Sequence, residues 1–415
     1  MPERRRVARL ACLVGVGTLI VVLSFAGFAM RARIDFHNAM ARAQELLSQG
    51  SPADARRALD EVLRSDTDNA DALILVGKCL VAEEAFDEAA EVFSRVPVDS
   101  PWHEEASLSE AFAYLHNLRF DAGEEALVRH LERYPVGPEH PNSQAAHEEL
   151  KWVYFNQFRR RELEELLQAS LARNPENHAL RVDLLNIEFR RQLAQEGVGH
   201  LKTVNEKQPG QPGILLALGY CCWKLGDVET AWKHIRAAMD LRPEHLETRF
   251  VAAEILMMQN ELDSVEALLA LDDDASPSLR ERFEKDDRWW WLRSKLAVLR
   301  ADEERALEYV DKALDLRPSE LQYVFHRGVR LQVLGRSEEA AETLTGAKEL
   351  EACESRLNEI VRSGALEMPT VEVCLEVAEL CEKRGRRMEA DHWRCEARQI
   401  QGQTKHLGGV GVVER

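Results

Sequence analysis

Seven prolines, Pro101, Pro135, Pro175, Pro209, Pro243, Pro277 and Pro318, recur at a nearly fixed interval that constrains this chain more than any other feature. Four of the six gaps are 34 residues and the other two are 40 and 41, as though a short loop entered the same period twice. A period in this range makes each segment one supersecondary unit. Such a unit cannot bury its apolar face alone, so neighbours stack into an array. At 415 residues the length would otherwise suggest about two or three globular domains; the period predicts one elongated array instead. The chain is rich in Ala, Leu, Glu and Arg and has no long alternations of Val, Ile and Thr, so the units are helical.

The clearest unit is 212–245, PGILLALGYCCWKLGDVETAWKHIRAAMDLRPEH. Gly226 closes a first helix, Asp227 caps a second, and Pro243 ends it. Leu218, Cys222, Leu225, Ile235 and Ala238 form one apolar stripe per helix. Gly219 and Ala231 are small and allow the two helices close approach. Small residues recur in the first helix as Gly77, Ala111, Gly219, Ala253, Ser294, Gly328 and Ala378. In the second they are Ala55, Ala89, Gly123, Gly197, Ala231, Ala306, Ala340 and Ala390. A bulky residue stands four later, as at Leu59, Phe93, Leu127, Leu201, Ile235, Val310 and Leu344.

This spacing resembles tetratricopeptide repeats, over nearly everything from about residue 37 to 400. The resemblance implies an all-α, right-handed superhelical solenoid of about ten helix pairs spanning 36–400, with first helices lining a concave surface. Lys151, Leu163, Leu185 and Val265 stand where small residues belong, so units there are expected to splay. Residues 351–368 read as an extra helix outside the register. Val136–Asn142 and Ser278–Asp286 read as inserted loops, and 401–415 as a disordered tail.

The N-terminus differs from the rest. From Leu10 to Met30 there are 21 residues without a charge, about the length that crosses a hydrocarbon core as a helix. Arg4, Arg5, Arg6 and Arg9 precede it and Arg31 and Arg33 follow, which favours a cytoplasmic N-terminus (residues 1–9) and exported, periplasmic repeats. A cleaved signal peptide is the competing reading, but its apolar region is expected to be shorter. The chain carries −18 overall while residues 1–34 carry +5, leaving the repeats strongly acidic. Such a body repels a phosphate backbone, so nucleic acid is not an expected partner. Arg159-Arg160-Arg161 and Arg384, Arg386 and Arg387 read as solvated helix ends.

No phosphate loop, nucleotide fingerprint, nucleophile elbow or zinc-helix motif is present. The sequence therefore predicts no enzyme, cofactor, metal or small-molecule substrate. His140, His147 and His178 cluster only loosely, and Asp272, Asp273, Asp274, Asp286 and Asp287 read as a solvated acidic linker. Seven cysteines outside the apolar span, without a Cys-x-x-Cys pair, read as buried thiols and not as a disulfide framework.

The strongest functional signal is an aromatic and Met-rich stripe on the expected concave face: Phe112, Trp152, Phe155, Phe189, Tyr220, Trp223, Phe250, Met257, Trp291 and Phe325. Apolar patches of that extent mark binding surfaces; packing between repeats is the alternative. In Trp289-Trp290-Trp291, three successive helix positions span about 200°, and Trp290 is expected in the core. The reading is a membrane-anchored scaffold that binds proteins or peptides, assisting secretion or envelope assembly. The alternative is a non-catalytic subunit of a membrane-bound enzyme or cytochrome maturation complex. The architecture resembles bacterial single-span tetratricopeptide proteins.

Overall fold

The computed structural model describes residues 34–137, 139–189, 194–270 and 277–408. The apolar span 10–30 lies outside them, and among the described residues no helix is long and apolar enough to cross a membrane. The described residues form helices and turns; an isolated bridge joins Gly137 to His140.

The helices fall into pairs. They are α1 (34–48) with α2 (Pro52–Ser65), α3 (Ala70–Ala82) with α4 (Phe86–Ser94), and α5 (His103–His116) with α6 (Phe120–Arg133). Then come α7 (Pro141–Asn156) with α8 (Arg160–Arg173), α9 (His178–Phe189) with α10 (Ala194–Lys207), and α11 (Pro212–Lys224) with α12 (Val228–Leu241). α13 (Leu246–Met258) pairs with α14 (Leu262–Leu269), and a short α15 (Pro277–Glu284) intervenes. The last pairs are α16 (Asp287–Leu299) with α17 (Glu303–Leu316), α18 (Leu321–Val333) with α19 (Ser337–Arg362), and α20 (Val371–Lys383) with α21 (Arg387–Gly408).

Three sequence expectations need correction. The stretch 351–368 is no separate helix, because α19 runs unbroken to Arg362. The expected loop from Ser278 is largely α15. Pro277 opens that helix and does not end a repeat, so its place in the proline ladder is a coincidence of spacing. α21 also continues to Gly408, past the expected start of the tail at 401.

A second ladder fixes each pair more closely than the prolines do. Gly50, Glu84, Leu118, Phe158, Gly226, Asn260, Ala301, Gly335 and Gly385 all have φ between 57° and 86°. Each lies in the turn inside a pair. The next residue's amide donates back over the turn, as in Ala85 N–H to Leu80 O, Asp227 N–H to Cys222 O and Arg336 N–H to Leu331 O, each 2.9 Å. This is the left-handed Schellman stop that satisfies the last carbonyls of a helix.

In several pairs the small residue of the first helix meets a bulky one sixteen positions on. A Cβ on Gly77 would come 2.3 Å from the Phe93 ring, on Gly219 2.5 Å from Ile235, and on Gly328 2.7 Å from Leu344. Ala55, Ala89, Ala231, Ala306 and Ala390 are fully buried, as are Leu59, Leu127, Ile235 and Val310. Each such aliphatic side chain contributes roughly 1.5–3 kcal/mol by leaving water.

The chain divides into two compact units, Met1–Leu150 and Lys151–Arg415, where one array was expected. The core of unit 1 joins Leu59, Leu73, Cys79, Phe93 and their neighbours. Unit 2 has an unexpected closure. Leu185 of α9, where a small residue was expected, packs with Leu357 and Ile360 of α19, Val377 of α20 and Trp393 of α21. Arg181, almost fully buried, reaches Glu396 at 3.4 Å. α9 is therefore packed against the C-terminal helices of its own unit, where splaying was expected.

Candidate functional site

Unit 2 holds a cavity of about 300 Å³ with an aromatic floor. Tyr220 and Trp223 come from the last turn of α11, Phe250 from α13, Trp291 from α16 and Tyr323 from α18. These are all first helices of their pairs, so the repeat presents the same face again and again. Phe158 enters from the turn between α7 and α8, its ring 5.6 Å from that of Tyr220. Tyr220 meets Trp223 edge-on at 5.8 Å, and Trp291 lies 5.0 Å from Tyr323.

Charged groups ring this floor. Arg160, Arg161, Lys224, Arg288 and Arg317 face Glu164, Glu247, Glu254, Asp287 and Glu320, so the groove is balanced although the chain is acidic. Asp287 is nearly buried. It accepts from the Tyr323 hydroxyl at 2.7 Å and lies 3.1 Å from Arg161 and 3.4 Å from Arg317. Burial raises the Tyr323 phenol, and the Asp287 charge raises it further. Arg317 donates to both Glu164 oxygens at 2.8 Å; burial disfavours its charge, but Glu164 and Asp287 more than restore it.

Arg288 grips Asp286 with Nε at 3.1 Å and a terminal nitrogen at 3.0 Å, and also donates to Glu247. Burial lifts the Glu247 carboxyl above the usual range although Arg288 opposes the rise. Beside it, burial would raise Glu162, but the hydrogen bond from His245 and the Arg159 charge bring it down to about 2. Lys224 differs from the other cations. Its ammonium lies 3.8 Å from the Trp223 ring centre and 5.2 Å from that of Tyr220, and burial lowers its pKa.

Of the ten stripe residues, this groove unites Tyr220, Trp223, Phe250 and Trp291. Phe112 lies half-buried in unit 1. Met257 is buried in the core of α13 and α14. Trp152, Phe155 and Phe325 are exposed and do not line the cavity. The side chain of Phe189 lies outside the described residues. Trp289, not Trp290, is the buried member of the tryptophan triplet, its indole N–H donating to Leu269 O at 3.0 Å. Trp290 is half-buried and donates to Glu284 O at 2.9 Å. The short α15 supplies that carbonyl and, through Phe283, an edge-on partner 5.8 Å from Trp289, so the insertion decides which indole turns inward.

Sequence reasoning missed Phe158, Tyr323 and the charged ring. The spacing of the turn ladder could have flagged Phe158, a large ring held at φ 58°. Nothing in the sequence pairs Arg161 with Asp287. Several charged groups read as solvated are instead structural, the Arg161–Asp287 pair among them. Arg159 is buried over the Tyr154 ring and bonded to Glu162 at 2.9 Å, and Arg384 is buried against Glu354 at 3.2 Å. Asp286 caps α16 through the Arg288 amide. Asp272, Asp273 and Asp274 lie outside the described residues.

Of the loosely clustered histidines, His140 and the buried His147 lie in unit 1 and His178 in unit 2. In unit 1, His103, His130 and His140 surround the Tyr134 ring, with centroids 5.2–5.9 Å away. His130 is buried, with Nδ1 2.8 Å from Ser107 Oγ, and burial pulls its pKa down to about 4 although Glu104 opposes it. His178, in unit 2, packs edge-on to Trp393. No group of described residues is arranged to hold a metal ion. No disulfide joins the described cysteines; burial raises Cys79 and Cys374 to about 11 and Cys221 to about 12. These three behave as small core residues and not as nucleophiles.

No curated protein matches the sequence. Among solved structures, a chain titled MamA 41-end from Desulfovibrio magneticus RS-1 is 23% identical. The match covers 42% of this chain and 95% of that one, with a TM-score of 0.33. A tetratricopeptide repeat protein from Parabacteroides merdae ATCC 43184 is 14% identical over 62% of this chain and 98% of that one, with a TM-score of 0.34. Two tetratricopeptide repeat profiles match, one over 40–101 and the other over 212–245, the second being the unit that the small-and-bulky spacing singles out. The helix pairs of this chain at 40–101 and 212–245 are tetratricopeptide repeats.

Proposed function

We propose that the chain is a protein-interaction scaffold whose docking site is the aromatic groove of unit 2. The observation that carries this reading is the floor of Tyr220, Trp223, Phe250, Trp291 and Tyr323, gathered from four first helices around open space. Rings of this size bury much area at small entropic cost, and they dominate interface energetics. The balanced charge ring favours partners that bring both signs. The 10–30 span and its arginine bias support a membrane tether with exported repeats, suited to secretion or envelope assembly; digestion of the repeats by protease added to intact spheroplasts tests that placement.

The docking reading is tested with Trp223→Ala in the full chain. A loss of about 2 kcal/mol in affinity for partners of the parent, with helix content kept, is expected of an anchor. A lower melting temperature with unchanged capture of every partner would assign Trp223 to internal packing.

A further inference from the structure

We infer that α8 holds the charged rim of the unit 2 groove through Arg161 and Glu164, and that the partner fitting this groove is a helix repeating that charge pattern. The partner presents an arginine and a glutamate three residues apart to Asp287 and Arg317, with apolar side chains one turn further on the same face. This deepens the docking reading above and rests on it.

Repeats in a stacked array touch their neighbours, yet Glu164 and Arg317 are bonded across 153 residues. Arg161 and Glu164 are three apart on α8 and so share one face. One reaches Asp287 at 3.1 Å and the other takes both arms of Arg317 at 2.8 Å. Glu162 adds a longer approach to His245, at 3.5 Å.

The chemistry of this contact is incomplete on one side. α8 contributes Arg160, Arg161 and Glu164 to the groove and no apolar side chain. Its Leu163, Leu167 and Leu171 are buried instead, so its apolar stripe is already spent. α8 answers the charges of the groove and leaves the partly exposed Tyr220, Trp223 and Trp291 uncovered, while Phe250 and Tyr323 are already buried. Ion pairs at partly exposed sites are worth little on balance, whereas covering the floor would add the larger apolar term. A helix carrying the same two charges and apolar side chains would satisfy both, taking Asp287 and Arg317 from Arg161 and Glu164 while the buried leucines of α8 stay in place. The ionic ring thus sets the orientation and charge pattern of the incoming helix.

The test uses a stapled helical peptide with Arg and Glu three apart and Leu and Phe one turn on, and a control with the two charges exchanged. Binding to the full chain is followed by fluorescence anisotropy. Glu164→Ala, which releases Arg317 from α8, is expected to bind the peptide about tenfold more tightly than the parent. The charge-exchanged control is expected to bind at least tenfold more weakly. Should Glu164→Ala fail to fold by circular dichroism, Glu164→Gln makes the same comparison. Equal affinity for parent and variant overturns the inference, and so does equal affinity for the two peptides. If Trp223→Ala still weakens binding in those cases, docking in the groove survives. If Trp223→Ala changes nothing, or no chain binds the peptide, the docking reading itself falls.

Discussion

Unit 1 and unit 2 are built from the same helix pair but are held together differently. In unit 1 the bonds between pairs bridge about one repeat. Trp102 donates to Asp71 across 31 residues and Arg119 to Asp87 across 32. Unit 2 adds bonds across 153, 188, 215 and 223 residues, from Arg317 to Glu164, His178 to Leu366, Arg181 to Glu396 and Gln399 to Glu176. Stability in unit 1 should follow the nearest-neighbour rule of repeat arrays. In unit 2, closure couples distant pairs, so a local lesson learned in one unit need not transfer to the other.

The sharpest test of that contrast is Asp287→Ala. It leaves the Tyr323 hydroxyl without its acceptor and takes one carboxylate from Arg161 and Arg317, which keep Glu165 and Glu164, a loss of about 3 kcal/mol. Hydrogen exchange should rise in α8 as well as in α16 and α18. Asp87→Ala in unit 1 removes an exposed partner of Arg119 and should cost less than about 1 kcal/mol, with exchange rising only around the nearby turns. A rise confined to α16 and α18 in the first variant would break the contrast.

Acid should next distinguish the histidine cluster of unit 1. His130 titrates near 4 in the folded chain, against about 6.5 when unfolded. Between those values the unfolded chain binds more protons. The stabilisation is therefore complete above about pH 6.5, falls as the pH drops, and is gone below about pH 4, a loss of up to about 3 kcal/mol. His130→Gln should flatten that part of the unit 1 stability profile, followed by hydrogen exchange at several pH values. A slope unchanged by the substitution would show that His103 or the carboxylates carry it. In unit 2, Glu162 should lose its contribution lower, from about pH 4.5 toward about pH 2, as its depressed carboxyl is protonated.

Overpacking should treat the units alike. Gly77→Leu in unit 1 and Gly219→Leu in unit 2 drive a Cβ into Phe93 and Ile235, each at a cost of about 1–3 kcal/mol. Denaturation of both variants checks this, and a cost in unit 2 far above that in unit 1 would mean that closure amplifies local strain. The smallest effect belongs to Ala301→Gly. Ala301 is exposed at φ 57°, and glycine relieves that conformation at some entropic cost, for a net gain of about 0.5–1 kcal/mol. A loss of melting temperature would mean that the turn is not strained.

The sequence by itself determined the helix pair. Gly219 opposite Ile235, Gly226 at the turn and Ala231 in the second helix are separated by at most sixteen residues, and each acts on a neighbour the chain must bring close. It also marked Tyr220, Trp223, Phe250 and Trp291, because one helical face recurs with the repeat. Which of the ten marked residues share a groove was decided elsewhere. The angle between successive pairs is set by many side chains at once, and small rotations add over several repeats before α8 can reach Asp287 and Arg317. The inserted α15 turns Trp289 inward, and the length of α19 places Leu357 and Ile360 against Leu185. Local spacing carries no trace of such sums, so only the tertiary structure could pair residues 153 positions apart or show that α8 already holds the charged rim of the groove.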